Sequence, residues 1–158
     1  MTELTGTALG LGRIVSGLFV LTAGRGADAT GMLASFVQQA GFEPPSVTVA
    51  LKKGRPIVDL VRDGGAFNIS VLHDGSMGLL AHFARGFEPG VPAFGSVAIQ
   101  DACNGVPYLL DAHAYVACEV LGEADWSDHL VFCGRVVDGG RSDDDQPLTH
   151  VRKNGLVY

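Results

Sequence analysis

The residues with the clearest chemical potential in this chain are three cations that stand together in an otherwise acidic protein. Lys52, Lys53 and Arg55 come directly before Pro56, a residue type that is common in the first turn of a helix. Cationic side chains and the free N–H groups of a helix start are both suited to a phosphate. The pattern predicts a phosphate site, and a solvated basic turn is the alternative that the spacing alone leaves open.

A run of small residues precedes this cationic turn along the chain. Ala34 and Ser35 would allow a flat ligand to lie close to the backbone, where N–H groups can reach its heteroatoms. The rigid Glu43-Pro44-Pro45 corner then leads into an alternating stretch, residues 46–52, which ends at the cations. We therefore expect a flat, phosphorylated ligand beside these two strands.

Local signatures of other chemistries are absent from the sequence. It contains no G-x-x-x-x-G-K, no H-E-x-x-H, no G-x-S-x-G and no C-x-x-C motif. Gly24-Arg25-Gly26 lies between two predicted strands, so a hairpin turn explains it better than a dinucleotide-binding loop. The five histidines lack metal-ligand spacing, and the three adjacent aspartates at 143–145 are expected to be solvated. We therefore predict no metal site.

Composition places the chain among compact, folded domains. Its 158 residues (16.5 kDa), 47% hydrophobic and 18% charged, match a single domain that spans residues 1–158. A formal net charge of −6 and a pI of about 5.2 argue against a general nucleic-acid binder. The sequence has no apolar run of about 18 residues, and residues 1–4 do not resemble a secretory signal. We expect a cytoplasmic protein whose three cysteines are reduced thiols.

Period-2 alternation of apolar residues dominates the chain and predicts a closed or sandwiched antiparallel sheet. Two helices interrupt the strands: one begins at Pro56 and ends at Gly64-Gly65, and the other is capped by Ser76 and ends at Gly86. The 22 glycines, about twice the usual frequency, indicate many turns. The predicted strands cover residues 17–23, 32–37, 46–52, 66–72, 112–121 and 130–137, with shorter ones at 97–100 and 148–152.

Several ordered motifs between about residue 12 and residue 158 resemble the flavin reductase-like family, the FMN-binding split barrels. The family pattern of G-M-x-A-S, a [D/E/N]-P-P corner, a strand and a polar or basic turn is similar to residues 31–35, 43–45, 47–51 and 52–53. Further similarities are an F-x-x-N-V-L-like strand at 67–72, an L-A-x-x-F-A-like helix at 80–84, a G-D-H-like motif at 128–129 and the tail at 153–158. Within the family, the chain most resembles the C-terminal flavin reductase domain of cyanobacterial flavodiiron (diflavin) proteins.

This resemblance implies a mainly β fold: an FMN-binding split β-barrel of Greek-key antiparallel strands, with two or three short helices. It also implies FMN as cofactor and NADH or NADPH as co-substrate, with hydride transfer from nicotinamide C4 to flavin N5. Because the flavin supplies the difficult chemistry, the protein needs no nucleophile and no carboxylate pair. Family members pair through the barrel, so a homodimer is expected. A redox protein partner is expected if the likeness to the multidomain proteins is close.

The resemblance also assigns site residues. His129 is the candidate catalytic residue, facing the flavin or the nicotinamide, and a structural hydrogen bond at a strand start is its alternative role. Tyr158 would cover a site or be a frayed end. The expected cofactor contacts are Met32, Leu33, Ala34, Ser35 and Phe36 for the ring, with Leu51 beside them, Lys52, Lys53 and Arg55 for the phosphate, Phe83, Ala84 and Arg85 for a pocket wall, and His129 and Tyr158.

Three positions depart from the family pattern, and one of them is Ser127, which stands where many members carry Gly. Leu33 stands where many members carry Thr, and Phe36 stands where many carry a second Ser. The loss of those hydroxyls leaves Ser35 and backbone groups as hydrogen-bonding partners for the ring. Three functions remain open: an NAD(P)H-dependent flavin reductase, an FMN-holding electron carrier that a protein partner reduces, and a barrel of the same type that binds a haem or a deazaflavin.

Overall fold

The computed structural model describes residues 3–142 and 146–158. The helices in these parts of the chain are α1 Gly6–Gly12, α2 Pro56–Gly64 and α3 Met77–Phe83. The strands are β1 Ser16–Gly17, β2 Phe19–Ala23, β3 Thr30–Ala34, β4 Val37–Phe42, β5 Pro45–Lys52, β6 Ala66–Val71, β7 Ile99–Asp101, β8 Pro107–Leu109, β9 Ala114–Asp125, β10 His129–Arg141 and β11 Thr149–His150. The aspartates at 143–145 lie outside the described residues.

The centre of the fold is a seven-stranded antiparallel sheet with the strand order β3-β2-β6-β9-β10-β5-β4. Its two edge strands, β3 and β4, are consecutive in the chain and are joined only by Ser35 and Phe36. A link this short spans about 3.5 Å per residue, so the two edges must approach each other. The sheet therefore curls into a barrel that is split along one seam, and the predicted mainly β split-barrel fold is confirmed.

The barrel interior is filled by the inward-facing residues of its strands. Leu21, Val49, Phe67 and Phe132 are almost fully buried there, and α2 contributes Val61 to the same cluster. Gly134 on β10 faces Phe67, and a Cβ at this position would stand 2.6 Å from the Phe67 ring. A second cluster lies beneath α3 and includes Val20, Leu72, Leu79, Phe83 and Leu109.

The strand β6 is buried on both faces because a loop and β8 cover its polar side. Asn68 donates through Nδ2 to the carbonyl oxygen of Val106 at 2.7 Å, and Asn104 donates to Asn68 Oδ1 at 2.8 Å. Ser70 Oγ accepts the N–H of Leu109 at 3.1 Å. The alternation predicted for this strand is therefore correct, but its polar face is satisfied by protein groups instead of solvent.

The main difference from the predicted elements is the stretch 32–37, which we expected to be one strand. It is two: β3 ends at Ala34 and β4 begins at Val37, because the chain crosses at Ser35-Phe36 from one sheet edge to the other. Both sides of the crossing are apolar, so the alternation continues without a visible break. The sequence pattern also missed α1 and β8, and it ended β9 and β10 too early because their outer ends are polar.

Local sequence signals predicted the starts of α2 and α3 correctly and the end of α2 as well. Pro56 is the first residue of α2, and Gly65 ends the helix in the left-handed conformation with φ of 64°. The helix α3 starts after Ser76 as expected but ends at Phe83, before Gly86. The Ser76 hydroxyl accepts the N–H of His73, so it does not cap α3. No helix in the described residues is long and apolar enough to cross a membrane.

The three cysteines are free thiols, as predicted. Cys118 and Cys133 lie on β9 and β10, and Cys103 lies in a turn between β7 and β8. Burial raises the pKa of Cys118 to about 12, so this thiol stays protonated at neutral pH.

Candidate functional site

Two adjoining cavities lie at the crossing between β3 and β4. The first, which we call the His129 cavity, has a volume of about 440 Å³ and includes Lys52, His129 and Tyr158 in its lining. The second, the Ser35 cavity, has a volume of about 390 Å³ and includes Ser35. Each volume lies within the range of small-molecule sites in proteins. The two cavities share Phe36, Ala50, Val131, Arg152 and Gly155, so they form one continuous depression.

Strand pairing positions the polar residues of the His129 cavity. His129 is the first residue of β10 and stands opposite Lys52, the last residue of β5. The N–H of Lys53 donates to the carbonyl oxygen of Asp128 at 3.0 Å, which ties the turn before β10 to the end of β5. The backbone of Phe36 is fixed to the same strand because its carbonyl oxygen accepts the N–H of Ala50 at 3.0 Å.

Both ring nitrogens of His129 have partners. Nδ1 lies 2.7 Å from Asp128 Oδ1, and Nε2 bonds the hydroxyl of Tyr158. The hydrogen bond from His129 holds the pKa of Asp128 below its ordinary range. Because Asp128 is therefore a carboxylate acceptor at neutral pH, the proton of a neutral His129 is assigned to Nδ1, and Nε2 is an acceptor.

The hydroxyl of Tyr158 is the matching donor. Most of the Tyr158 ring is exposed, but desolvation raises the pKa of its hydroxyl, with a smaller opposing effect of Arg55. Tyr158 is therefore protonated at neutral pH and donates to His129 Nε2. This hydrogen bond occupies the one free acceptor of the imidazole.

Two other rings and one cation lie beside the ring of Phe36. Its ring centroid lies 5.4 Å from that of His129 and 5.9 Å from that of Tyr158. The guanidinium carbon of Arg152 lies 4.7 Å from the Phe36 ring centroid. Aromatic faces at these spacings stack on other flat groups, and a cation beside them favours a ligand with negative charge. The arrangement is suited to a flat heteroaromatic ligand that carries an anionic group.

The three cations predicted to share one phosphate point to three different places. Lys52 lines the His129 cavity, and Lys53 forms an ion pair with Asp125. Arg55, which directly precedes α2, lines a small separate cavity of about 60 Å³ that we call the Arg55 cavity. Arg85, beyond the end of α3, lines this cavity too. In the described residues, neither Arg55 nor Arg85 has a carboxylate within ion-pair distance.

Residues 32–36, which we expected to contact the flavin ring, extend from the Arg55 cavity to the His129 and Ser35 cavities. Met32 lines the Arg55 cavity, Ser35 lines the Ser35 cavity, and Phe36 lines both the Ser35 cavity and the His129 cavity. Leu33 packs on the core beneath α3, and Ala34 is buried inside the barrel. This alternation follows from the strand geometry of β3, whose successive side chains point to opposite faces.

Several predicted contacts lie away from the cavity surfaces. Leu51 and Phe83 are 1% and 0% exposed and belong to the core. Phe83 packs beneath Gly31, where a Cβ would stand 3.0 Å from its ring. Ala84 is exposed and lines none of the cavities described. The structure therefore brings together Phe36, Lys52, His129 and Tyr158 in one group and Met32, Arg55 and Arg85 in another, with Ser35 between them.

Arg152 is the site residue that sequence reasoning missed. It lies in an irregular segment after β11, where no periodic pattern indicates a position. Two backbone hydrogen bonds hold this segment against α1: Arg152 N–H to Gly12 O at 3.1 Å and Gly155 N–H to Ala8 O at 2.8 Å. A side chain at Gly12 or Gly155 would collide with the facing backbone, so these glycines permit the contact. The signal available in the sequence was only this pair of glycines.

A larger cavity, of about 700 Å³, lies elsewhere on the molecule. Its lining includes His73, His82, Asp111 and Ser142, and none of the predicted site residues. No group of three or more metal-ligating side chains is arranged to hold a metal ion in residues 3–142 and 146–158.

Comparison with known proteins identifies close relatives. The family described as "Flavin reductase like domain" matches residues 11–155. Diflavin flavoprotein A 1 of Synechocystis sp. is 42% identical over 151 residues, which cover 94% of this chain and 26% of that protein. The chain thus spans about a quarter of the length of this relative.

Solved structures share the fold over nearly the whole chain. The styrene monooxygenase flavin reductase (SMOB) from Pseudomonas putida S12 is 29% identical, with a TM-score of 0.79 and coverage of 94% of both chains. The Streptomyces globisporus C-1027 NADH:FAD oxidoreductase SgcE6, in complex with NAD and FAD fragments, is 21% identical. Its TM-score is 0.83, and the match covers 97% of this chain and 94% of that one. The second likeness shows the fold alone.

Proposed function

This chain belongs to the flavin reductase-like family, and we propose that it is an FMN-binding, NAD(P)H-dependent flavin oxidoreductase. Membership makes it a flavoprotein of the oxidoreductase class. Bound FMN supplies the chemistry, which is hydride transfer from nicotinamide C4 to flavin N5. The observation that supports the proposal most is the Phe36, His129 and Arg152 group, which offers aromatic faces, an acceptor nitrogen and a cation beside the strand β3.

The residues present fit a flavin mononucleotide. The crossing after β3, where the sheet edges meet, offers Ser35 at the surface of the Ser35 cavity. At the other end of the strand, Arg55 and Arg85 line a cavity of about 60 Å³, a size suited to a single phosphate. The protein has a net charge of −6, yet these cations line cavities and have no carboxylate partner in the described residues. This arrangement favours anion binding. We propose that Met32, Ser35 and Phe36 hold the ring and that Arg55 and Arg85 hold the phosphate.

Charge beyond the Arg55 cavity favours FMN over FAD. A neighbouring cavity of about 240 Å³ shares Thr30 and Glu88 with it and is also lined by Asp28, Asp59 and Asp63. The second phosphate of a dinucleotide would meet these carboxylates, and like charges in proximity are unfavourable. FMN, with one phosphate, meets Glu88 at the Arg55 cavity but avoids Asp28, Asp59 and Asp63.

We assign His129 to the nicotinamide. Its Nε2 is an acceptor because Asp128 holds the proton on Nδ1, and an acceptor at this position can bind the NH₂ group of a carboxamide. Tyr158 occupies Nε2 in this structure, so the Tyr158 hydroxyl must move before a carboxamide can replace it. Phe36 and His129 then orient the nicotinamide ring, and orientation of this kind is a major source of rate in bimolecular reactions.

The position of Tyr158 also motivates a second candidate, an FMN electron carrier of the flavoredoxin type. If Tyr158 stayed on His129, a nicotinamide could not reach that nitrogen, and a protein partner would have to supply electrons. Purified protein with FMN distinguishes the two. The reductase oxidises NADH or NADPH with free FMN as acceptor, which is followed by the loss of nucleotide absorbance at about 340 nm. It also binds FMN at least about tenfold more tightly than FAD, a difference of about 1.4 kcal/mol. Absence of oxidation with both nucleotides would favour the carrier.

A further inference from the structure

Arg152 is the one cation of the site that the resemblance did not assign, and its position is fixed on two sides. Its backbone N–H bonds Gly12 O at 3.1 Å, and its carbonyl group abuts Gly12 so closely that only glycine fits there. Its side chain is half-buried and lines both the His129 cavity and the Ser35 cavity. The guanidinium is therefore directed into the continuous depression.

The stacking geometry leaves the hydrogen-bonding capacity of Arg152 unused. Its guanidinium carbon lies 4.7 Å from the Phe36 ring centroid, and no carboxylate lies within ion-pair distance among the residues that the structure describes. A guanidinium over an aromatic face keeps its donor N–H groups at its edge, which matches two oxygens of a phosphate. Lys52 lines the same cavity and is also without a carboxylate partner in those parts of the chain.

We propose that Arg152 is a substrate-binding residue that binds a phosphate of the nicotinamide dinucleotide. The inference rests on the proposed function, because it takes the His129 cavity as the nicotinamide site. The flavin phosphate is a less suitable ligand, since Arg55 and Arg85 line a separate cavity at the far end of β3. The phosphate that Arg152 binds belongs either to the diphosphate bridge, which NADH and NADPH share, or to the 2′-phosphate, which only NADPH has.

The test compares Arg152→Gln and Arg152→Lys with Lys153→Gln. Lys153 is the matched control because it carries the same charge on the neighbouring residue, is exposed and lines neither cavity. Calorimetry on the FMN-loaded proteins gives the dissociation constants of NAD⁺ and NADP⁺, and fluorescence titration of the apoproteins gives that of FMN. These measurements report binding independently of turnover.

We expect Arg152→Gln to weaken NADP⁺ binding at least about fivefold, since a charge-assisted contact is lost at a partly exposed site. Arg152→Lys should recover part of the loss, and Lys153→Gln and FMN binding should change by less than about twofold. Equal losses for NAD⁺ and NADP⁺ would assign the diphosphate bridge, and a loss for NADP⁺ alone would assign the 2′-phosphate.

Two results with Arg152→Gln, and one with the parent protein, would overturn the proposal. Unchanged affinity of Arg152→Gln for both nucleotides would remove Arg152 from the site, and an equal loss of FMN affinity would assign it to the flavin. If the parent protein binds neither NAD⁺ nor NADP⁺ while it binds FMN, the proposed function itself fails and the role of Arg152 fails with it. If the parent binds both nucleotides and Arg152→Gln binds them with the parental affinity, only the role of Arg152 fails.

Discussion

His129 has two side-chain partners, and each controls a different property of its ring. Asp128 fixes the tautomer through Nδ1, and Tyr158 occupies the acceptor Nε2. We expect Asp128→Asn to lower kcat/KM for the nicotinamide substrate at least about threefold, because the amide no longer favours an acceptor at Nε2. The affinity for FMN should not change. A variant with parental kcat/KM would show that the tautomer of His129 has no role.

The same pair makes stability depend on pH in a defined direction. The hydrogen bond from His129 lowers the pKa of folded Asp128. A carboxylate with a lowered pKa stabilises the folded state above its unfolded-state pKa of about 3.9, and this contribution disappears as the pH falls through the lower folded value. The difference in Tm between the parent and Asp128→Asn should therefore be present at about pH 6 and shrink below about pH 4. A difference that grows on acidification would contradict the assignment.

Tyr158 competes with the nicotinamide for His129 in the proposed function. Removal of its ring by Tyr158→Ala should therefore lower the KM for NADH or NADPH, by about threefold if the competent state of the parent is populated to about one third. Tyr158→Phe, which lacks the hydroxyl but keeps the ring, should give a smaller decrease. Initial rates over a range of nucleotide concentrations measure both. A KM that rises in Tyr158→Ala would show that Tyr158 contacts the nucleotide instead of excluding it.

At the scale of elements, β6 depends on the polar contacts that cover its outer face. Asn68 donates to Val106 O and accepts from Asn104, and both Asn68 and Val106 are fully buried. Asn68→Ala removes two hydrogen bonds, while Val106 O keeps the N–H of Ala102 and Asn104 keeps Cys118 O. At about 0.5–1.5 kcal/mol for each lost bond, the free energy of unfolding should fall by about 1–3 kcal/mol. Gln39→Ala on the exposed face of β4 is the control, with an expected change within about 0.5 kcal/mol. Urea denaturation measures the free energy of unfolding of both variants. Equal values for the two would contradict this account of β6.

Elements with strong local signals could be predicted, and those defined by closure of the barrel could not. Alternation identified β5, β6 and β10, and Pro56 with Gly65 gave the bounds of α2. The crossing at Ser35-Phe36 has no local signal, since it exists only because β3 and β4 occupy opposite edges of one sheet. In the candidate site too, some contacts could be predicted from local patterns and others depend on how the fold closes. Strand pairing explains why His129 lies beside Lys52, but the approach of Arg152 to Phe36 depends on the packing of the last residues against α1.

At the scale of the whole molecule, several large apolar side chains lie exposed on the surface instead of packing in the barrel interior. Phe42 and Trp126 are 88% and 82% exposed, and Ile14, Val15, Leu156 and Val157 are each exposed by more than half. Large exposed apolar groups commonly mark an interface. We propose a homodimer, so light scattering at micromolar concentrations should give twice the chain mass of 16.5 kDa. A mass of 16.5 kDa across that range would exclude the dimer.

The central claim is that this chain transfers hydride from a nicotinamide nucleotide to bound FMN, and anaerobic mixing tests it most directly. FMN-loaded protein mixed with NADH or NADPH should lose the flavin absorbance near about 450 nm within seconds. His129→Ala should slow this loss by more than about threefold, because an orienting group is removed. If neither nucleotide reduces the flavin, while a reduced ferredoxin or rubredoxin does, the protein is an electron carrier and the claim is wrong.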